Sequence, residues 1–454
     1  MHDSLRPTGE APLDFRDTLT RLERDGELSR VSREVDPDVE LIAVTRKMQR
    51  TLNRGLLFQN VRGTIGAVAT NVIATRPRLA KALGVDDGQL LGWIEQGYSA
   101  PIDPIEVESA PVQEVVSTDD VDIARQIPQI IHCEGDAGPY VTAGVVIATH
   151  PDTGVYNASF NRSQIVGGSH ARLRMMAPQH LGQYQQVSEG RGEPLPVAMV
   201  IGAPPALMLS AASKIPLGSD ELQIAGAWQG SPLRVTRAVS VPLLVPADAE
   251  YVIEGEVVPN AREIEGPYGE FTDTYVEPAE NHVLRVTAIT RRADPIYHSI
   301  LAGSPEDVTL LAVPLQLEVL KHARAFADVV DVGTPGHIFG CVVSIRKRND
   351  EQASAVLMAA LAAHSWMKMV IVVDEDIDPH DAEEVLWAVQ TRARPDTGLF
   401  HIPRLASFPR ADVRPVHKGK IGIDATVPMD LKSTFRRREF PEVALEDYLN
   451  QAAD

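Results

Sequence analysis

A change of texture along the chain limits what it can fold into more than any single residue does. From about Val115 to Ala302 short apolar runs rich in Val, Ile and Thr are separated by Asp, Gly and Pro, the punctuation of strands and tight turns. Gly144 to Ala148 and Val155 to Phe160 flank Pro151-Asp152-Thr153-Gly154, a hairpin-type turn. Leu195 to Ile201, Leu233 to Val239, Val252 to Val258 and Val283 to Thr290 continue the series. The expectation is an antiparallel sheet or barrel over residues 115–304. The last third reads differently: strand at Ile338 to Ile345, Ala-rich helix at Glu351 to Ala363, strand at Met369 to Val373, and helix from Pro379 to Arg392 opened by Asp378. That alternation implies a parallel α/β layer over residues 328–454.

Two further segments complete the plan. Asp14 is placed to cap a helix with apolar residues Phe15, Leu19 and Leu22 and a stop at Gly26. A second helix from Val39 to Arg50 and short strands at 56–61 and 66–70 make residues 1–114 a mixed α+β domain, and Pro305 to Phe326 reads as a linker helix within 305–327. At 454 residues the chain is long enough for two or three such domains.

Composition removes several function classes. Lys and Arg total 43 against 62 Asp and Glu, a formal charge of -19, and no basic run carries interleaved aromatics, so nucleic-acid binding is not expected. Cys133 and Cys341 lie far apart with no CxxC, which argues against a disulfide framework or a cysteine zinc site. With no apolar leader and no long apolar run, the expectation is a soluble cytoplasmic protein. Gly167-Gly168-Ser169-His170 lacks the spacing of a phosphate loop, and no Gly-x-Ser-x-Gly elbow occurs.

The chemistry-bearing residues fall in three places. Asn157-Ala158-Ser159-Phe160-Asn161-Arg162 closes a strand, Met176-Ala177-Pro178-Gln179-His180 enters a helix, and Glu265 and Glu270 bracket Gly266-Pro267-Tyr268-Gly269. Each has a plain explanation alone: Asn157 and His180 as hydrogen-bonded structure, Arg162 and the glutamates as surface ion pairs, Met176 as core packing. Together they say more. An amide oxygen and an imidazole suit Mn²⁺ or Mg²⁺, and two acids sharing one guanidinium have their proton affinities driven apart, which defines a proton donor.

That pattern, with Lys420-Ile421-Gly422-Ile423-Asp424 and Val372-Val373-Asp374 near the C-terminus, resembles the UbiD family of reversible decarboxylases over roughly residues 15 to 435. The resemblance implies an α+β/α/β multidomain fold, in which a split β-barrel of flavin-reductase-like kind holds the cofactor and a C-terminal α/β domain serves oligomerisation. It implies non-oxidative, reversible decarboxylation of an aromatic, heteroaromatic or α,β-unsaturated acid through a covalent adduct with prenylated FMN, supplied by a flavin prenyltransferase. It also implies Mn²⁺ or Mg²⁺ with K⁺ nearby, and a homodimer or dimer-based oligomer. By position Arg162, Glu265 and Glu270 resemble the catalytic network, Glu270 giving the proton. Asn157, Ala158, Ser159, Arg162, Gln179 and His180 fall at cofactor-binding positions, Asn157 and His180 at metal positions, and Met176 and Gln179 beside the substrate. The family's third metal ligand is a Glu after Gly-Ala-x-x-Gly; here Gly226-Ala227-Trp228-Gln229-Gly230 is followed by Ser231, so either Ser231 binds weakly or an acid such as Glu221 substitutes. A flavin-dependent oxidoreductase and a non-catalytic assembly protein are the competing readings.

Overall fold

The computed structural model describes residues 13–405 and 419–435, with 437, 438, 441, 443 and 448. It divides into two compact units, residues 1–317 and 318–454, the division falling inside the helix Pro305–Ala323.

The first unit is built on a nine-stranded sheet. Its path runs Tyr140–Val141, Ser163–Gly167, His170–Leu173, Ala279–Arg291, Tyr251–Glu265, Leu195–Ile201, Val145–Thr149 and Tyr156–Phe160, with Val115–Ser117 added beside Ala279–Arg291. All these pairings are antiparallel. The expected hairpin forms, with Val145 opposite Phe160 and Thr149 opposite Tyr156. Val145 to Ala148 and Val197 to Ile201 are buried throughout, which is why their sequence is a solid apolar run and not an alternation. No strand pairing among the described residues closes the sheet on itself.

Two buried helices, Pro205–Ala212 and Glu221–Gln229, interrupt the region expected to be strands and turns. Both are apolar on nearly every side, so neither shows the one-sided periodicity by which a surface helix is recognised. Asp220 caps the second, accepting from the N–H groups of Leu222 at 2.8 Å and Gln223 at 3.2 Å. Two contacts fix where this helix lies. A Cβ on Gly226 would sit 2.7 Å from the carbonyl of Ile102, and a Cβ on Gly97 would strike the fully buried indole of Trp228. Trp228 in turn donates from Nε1 to the Ile94 carbonyl at 3.0 Å.

A four-stranded sheet completes the unit: Leu28–Val31, Gly55–Phe58, Ala67–Thr70 and, from much later in the chain, Ile296–His298, parallel to Ala67–Thr70. The helix Phe15–Arg24 packs here, begun by Asp14 in a reciprocal capping box with Asp17; Glu40–Gln49 is the second helix.

In the second unit the sheet order is Asp328–Gly333, Gly340–Arg346, Met369–Asp374, Lys420–Ala425 and Leu399–Ile402. The middle three strands are parallel, as their alternation with helices implies, and the two edge strands are antiparallel. Helix Glu351–Ala363 has the expected bounds. The last helix starts later than expected, at Ala382, because Asp381 and not Asp378 accepts the first free N–H groups, those of Glu383 and Glu384. Among the described residues no helix is long and apolar enough to cross a membrane.

Gly97→Ala should destabilise the first unit by about 1–3 kcal/mol, the usual cost of forcing bulk into a filled core. Thermal unfolding of the variant reads this directly, and an unchanged midpoint would show that the contact between Gly97 and Trp228 is loose.

Candidate active site

Two clusters of polar side chains are buried in the first unit. In the first, Arg162 lies between the strands Tyr156–Phe160 and Ser163–Gly167, with its side chain only 8 % exposed. Its guanidinium meets Glu265 as a fork, Nε to Oε1 and Nη2 to Oε2 both at 2.9 Å, while Nη1 donates to Glu270 Oε1. These bonds use three of its five N–H donors. The Tyr268 ring lies under the guanidinium, 4.5 Å from its carbon to the ring centroid. Glu265 is held by more than the ion pair, because Asn281 Nδ2 also donates to its Oε2 at 2.9 Å.

The local chain explains the geometry. Glu265 ends the long strand Tyr251–Glu265, a cis peptide joins Gly266 to Pro267, and Tyr268–Gly269 pairs with Tyr275–Val276. Glu270 follows, its Oε2 accepting from the Phe271 N–H at 3.3 Å and its own N–H donating to the Thr274 carbonyl at 2.9 Å. The two acids are therefore unlike: Glu265 is sealed at 1 % side-chain exposure, and Glu270 is reachable at 17 %.

Burial works against the Arg162 charge, but the Glu265 hydrogen bonds and the two carboxylate charges outweigh it and raise the guanidinium above its ordinary value. Burial raises the phenols of Tyr268 and Tyr140, with the neighbouring carboxylates adding to the rise and Arg162 opposing it. Asp307, in the first turn of the helix Pro305–Ala323, was not singled out from the sequence. Burial pushes its carboxyl up to about 6; the Gly303 N–H, donated to Oδ2 at 2.7 Å, opposes the rise, and the charge of Glu270 adds to it.

The second cluster gathers Asn157, His180 and Glu221. Asn157 Nδ2 donates to Glu221 Oε1 at 3.1 Å, the Ala158 N–H to Oε2 at 3.3 Å, and His180 Nδ1 is 3.6 Å from Oε1. Ser159 Oγ lies within hydrogen-bond distance of Asn157 Oδ1, at 3.3 Å. Asn157 and Glu221 are buried, and His180 opens the helix His180–Gly190 with Gln179 as its N-cap.

Ser231 lies apart from this cluster. Its hydroxyl sits 3.2 Å from Gln229 Nε2, beyond the far end of the helix that Glu221 begins. At 1.5 Å per residue, nine helical residues put roughly 13 Å between the two ends. Met176 is 39 % exposed, and Gln179 is exposed with it. Among the described residues no group of three His, Cys, Asp or Glu is arranged to hold a metal, and the cluster here contains an amide in place of a third such residue.

Three family models match in succession, the N-terminal, Rift-related and C-terminal domains of the 3-octaprenyl-4-hydroxybenzoate carboxy-lyase (UbiD) family, over residues 19–94, 104–305 and 308–425. Anhydromevalonate phosphate decarboxylase of Methanothermobacter thermautotrophicus is 32% identical over 90% of this chain and 96% of its own. The chain belongs to the UbiD family. Its counterpart of the same name in Methanosarcina mazei is also 32% identical, over 94% of this chain and 99% of its own. Among solved structures, the UbiD-class enzyme HmfF from Pelotomaculum thermopropionicum in complex with FMN matches with a TM-score of 0.91 at 35% identity, covering 96% of this chain and all of that one. The apo 3,4-dihydroxybenzoic acid decarboxylase AroY of Klebsiella pneumoniae matches with 0.88 at 27% identity, over 96% and 98%. The UbiD members named here are decarboxylases or enzymes of that class, and this chain is a carboxy-lyase.

Asp307 gives a pH test of the first cluster. Its folded pKa is raised, so its contribution to stability is fully present below the ordinary Asp value near 4 and is lost as pH rises through about 6. Asp307→Asn removes that slope. Melting temperature against pH should therefore show wild type falling relative to the variant between pH 4 and 6; parallel curves would mean that Asp307 is not held in its protonated form.

Proposed function

We propose that this UbiD-family chain decarboxylates, reversibly and without net oxidation, a small aromatic, heteroaromatic or α,β-unsaturated carboxylic acid with prenylated FMN bound. The observation that carries this reading is the buried Arg162 shared unequally by a sealed Glu265 and a reachable Glu270. When bound, the modified flavin supplies the electron sink for the charge left as carbon dioxide departs, which no side chain can do. The chain's own residues do the rest. Arg162 has N–H donors beyond its three bonds with which to orient a substrate carboxylate. Glu265 fixes the guanidinium, and Glu270, the acid open to the site, gives the proton.

The donor set of the second cluster fits a divalent cation and a flavin phosphate. Asn157 and Glu221 offer oxygen and His180 offers nitrogen, the set that Mn²⁺ and Mg²⁺ take, and we assign the metal to these three residues, with K⁺ close by. Ala158, Ser159 and Gln179 would meet the cofactor, and Met176 and Gln179 the substrate. HmfF has been solved with FMN and, in an evolved dimeric form, with prFMN, which supports the flavin, a prenyltransferase to supply it, and a homodimer. One core unites residues from seven of the sheet's strands, among them Val141, Val146, Ala171, Val197, Ile253 and Leu284; this shared core, with the sheet's ends unpaired among the described residues, supports the split barrel.

Relatives' names divide on substrate. AroY and the Sedimentibacter hydroxybenzoicus vanillic acid decarboxylase are named for aromatic acids at 27% identity, whereas the archaeal relatives at 32% are named for anhydromevalonate phosphate. The latter favours a second reading, a non-aromatic phosphorylated acid.

Glu270→Gln keeps the shape of the side chain and removes its proton, so it should abolish turnover of a panel of aryl and unsaturated acids while the flavin absorption band stays. Undiminished turnover would remove Glu270 from the mechanism, and flavin-linked oxidation of the panel in place of decarboxylation would favour an oxidoreductase. Glu221→Ala and His180→Ala should each strip both the band and the bound metal, measured by elemental analysis, with Ser231→Ala leaving both intact. The opposite pattern would return the metal site to Ser231.

A further inference from the structure

Glu270 stands in a connecting turn, and turns are the mobile parts of a fold. A proton donor nevertheless has to be held in place. Residues 133–137, which belong to neither polar cluster, grip this turn and tie it to the strand beside Arg162.

Asp136 first closes the segment on itself: its N–H donates to the Cys133 carbonyl at 3.0 Å, and its Oδ2 accepts from the Cys133 N–H at 3.0 Å. The other carboxylate oxygen reaches the Glu270 turn, Oδ1 accepting from the Gly269 N–H at 2.7 Å. Two neighbours add to the grip. The Ala137 N–H donates to the Pro267 carbonyl at 2.9 Å, and the Gly135 N–H to the Tyr275 hydroxyl at 3.0 Å. The approach is close, since a Cβ on Gly135 would stand 2.7 Å from Cζ of Tyr275.

The same segment is anchored on the Arg162 side. Buried Gln164, two residues beyond Arg162, donates from Nε2 to the Ala137 carbonyl at 3.1 Å. Tyr140–Val141 then pairs with the strand Ser163–Gly167, which starts at the residue after Arg162. Residues 133–141 therefore span from the strand next to the guanidinium to the turn that carries the acid. Within this span, the Asp136 carboxylate holds the residue directly before Glu270. Consecutive Cα atoms are fixed about 3.8 Å apart, so a shift of Gly269 is passed on to Glu270.

We propose that Asp136 is a positioning residue for the proton donor: by holding the Gly269 N–H it sets where the Glu270 carboxylate stands against Arg162. The role of Glu270 in turnover rests on the decarboxylase reading, whereas the placing of its carboxylate rests on these hydrogen bonds.

The test compares kcat and KM of Asp136→Ala and Asp136→Asn with those of wild type and Glu270→Gln, on an acid that wild type decarboxylates. Melting curves and the flavin absorption band check that each variant is folded and loaded. Asp136→Ala should lower kcat by about 10–100-fold, the usual cost of a reacting group misplaced by about an ångström, with KM nearly unchanged. Asp136→Asn keeps an oxygen for the Gly269 N–H and should recover most of that loss. Tyr275→Phe removes a different bond of the same bridge and should leave kcat near wild type. Should Asp136→Ala fail to fold, Asp136→Ser, which keeps a polar group for the turn but is one bond too short for Gly269, carries the same expectations. Unchanged kcat or a rise in KM alone overturns the inference. An equal loss in Asp136→Asn overturns it in favour of a role for charge, and an equal loss in Tyr275→Phe in favour of general loosening. A crystal structure of Asp136→Ala, or of Asp136→Ser, gives a readout without turnover. Glu270 should leave hydrogen-bond distance of Arg162 Nη1 while the Glu265 fork stays, and an unmoved Glu270 overturns the inference. Failure of the decarboxylase reading looks different: wild type and Glu270→Gln act alike on every acid, and the crystal structure alone then decides the placing.

Discussion

A buried guanidinium is the constraint around which the first unit is organised. An uncompensated buried charge is among the costliest things a protein can contain, and Arg162 is compensated on several sides. Glu265 takes it through two parallel bonds, Glu270 through a third, and the Tyr268 ring lies beneath it. Each partner comes from a backbone position that must be right for the set to close: the end of a fifteen-residue strand, a Gly-Pro corner and a short paired ribbon. The order of the surrounding loop is a consequence of that charge as much as a support for it.

The same arrangement separates two acids of identical chemistry. Glu265 accepts from Arg162 and Asn281 and has no route to solvent, so it serves as the counter-charge. Glu270 touches the guanidinium from the rim, with Asp307 contributing a second carboxyl to its electrostatic surroundings. Position, and not residue type, sets the two apart.

Much of this was readable from the residues. Solid Val and Ile runs and the turn at Pro151 to Gly154 located the hairpin, and alternation of apolar strands with Ala-rich helices located the C-terminal sheet, because burial on both faces leaves that mark. What escaped lacked periodicity or depended on distance. The helices Pro205–Ala212 and Glu221–Gln229 are buried all round, so no stripe betrays them. Glu221 sits at the end of its helix opposite to Ser231, and only packing, through Gly226 against Ile102 and Trp228 against Gly97, decides which end meets Asn157. Asp307 looks like an ordinary first-turn acid until the fold brings it near Glu270. The split at Leu317 is equally invisible in a helix that continues through it.

The strand Ile296–His298 has a consequence for how the chain is made. It completes the sheet formed by Leu28–Val31, Gly55–Phe58 and Ala67–Thr70, so on the ribosome the early residues emerge with one sheet edge still open. Synthesis proceeds at ~5–20 residues per second, and that edge waits many seconds for its partner. During that interval the backbone groups along the free side of Ala67–Thr70 are available to any extended neighbour.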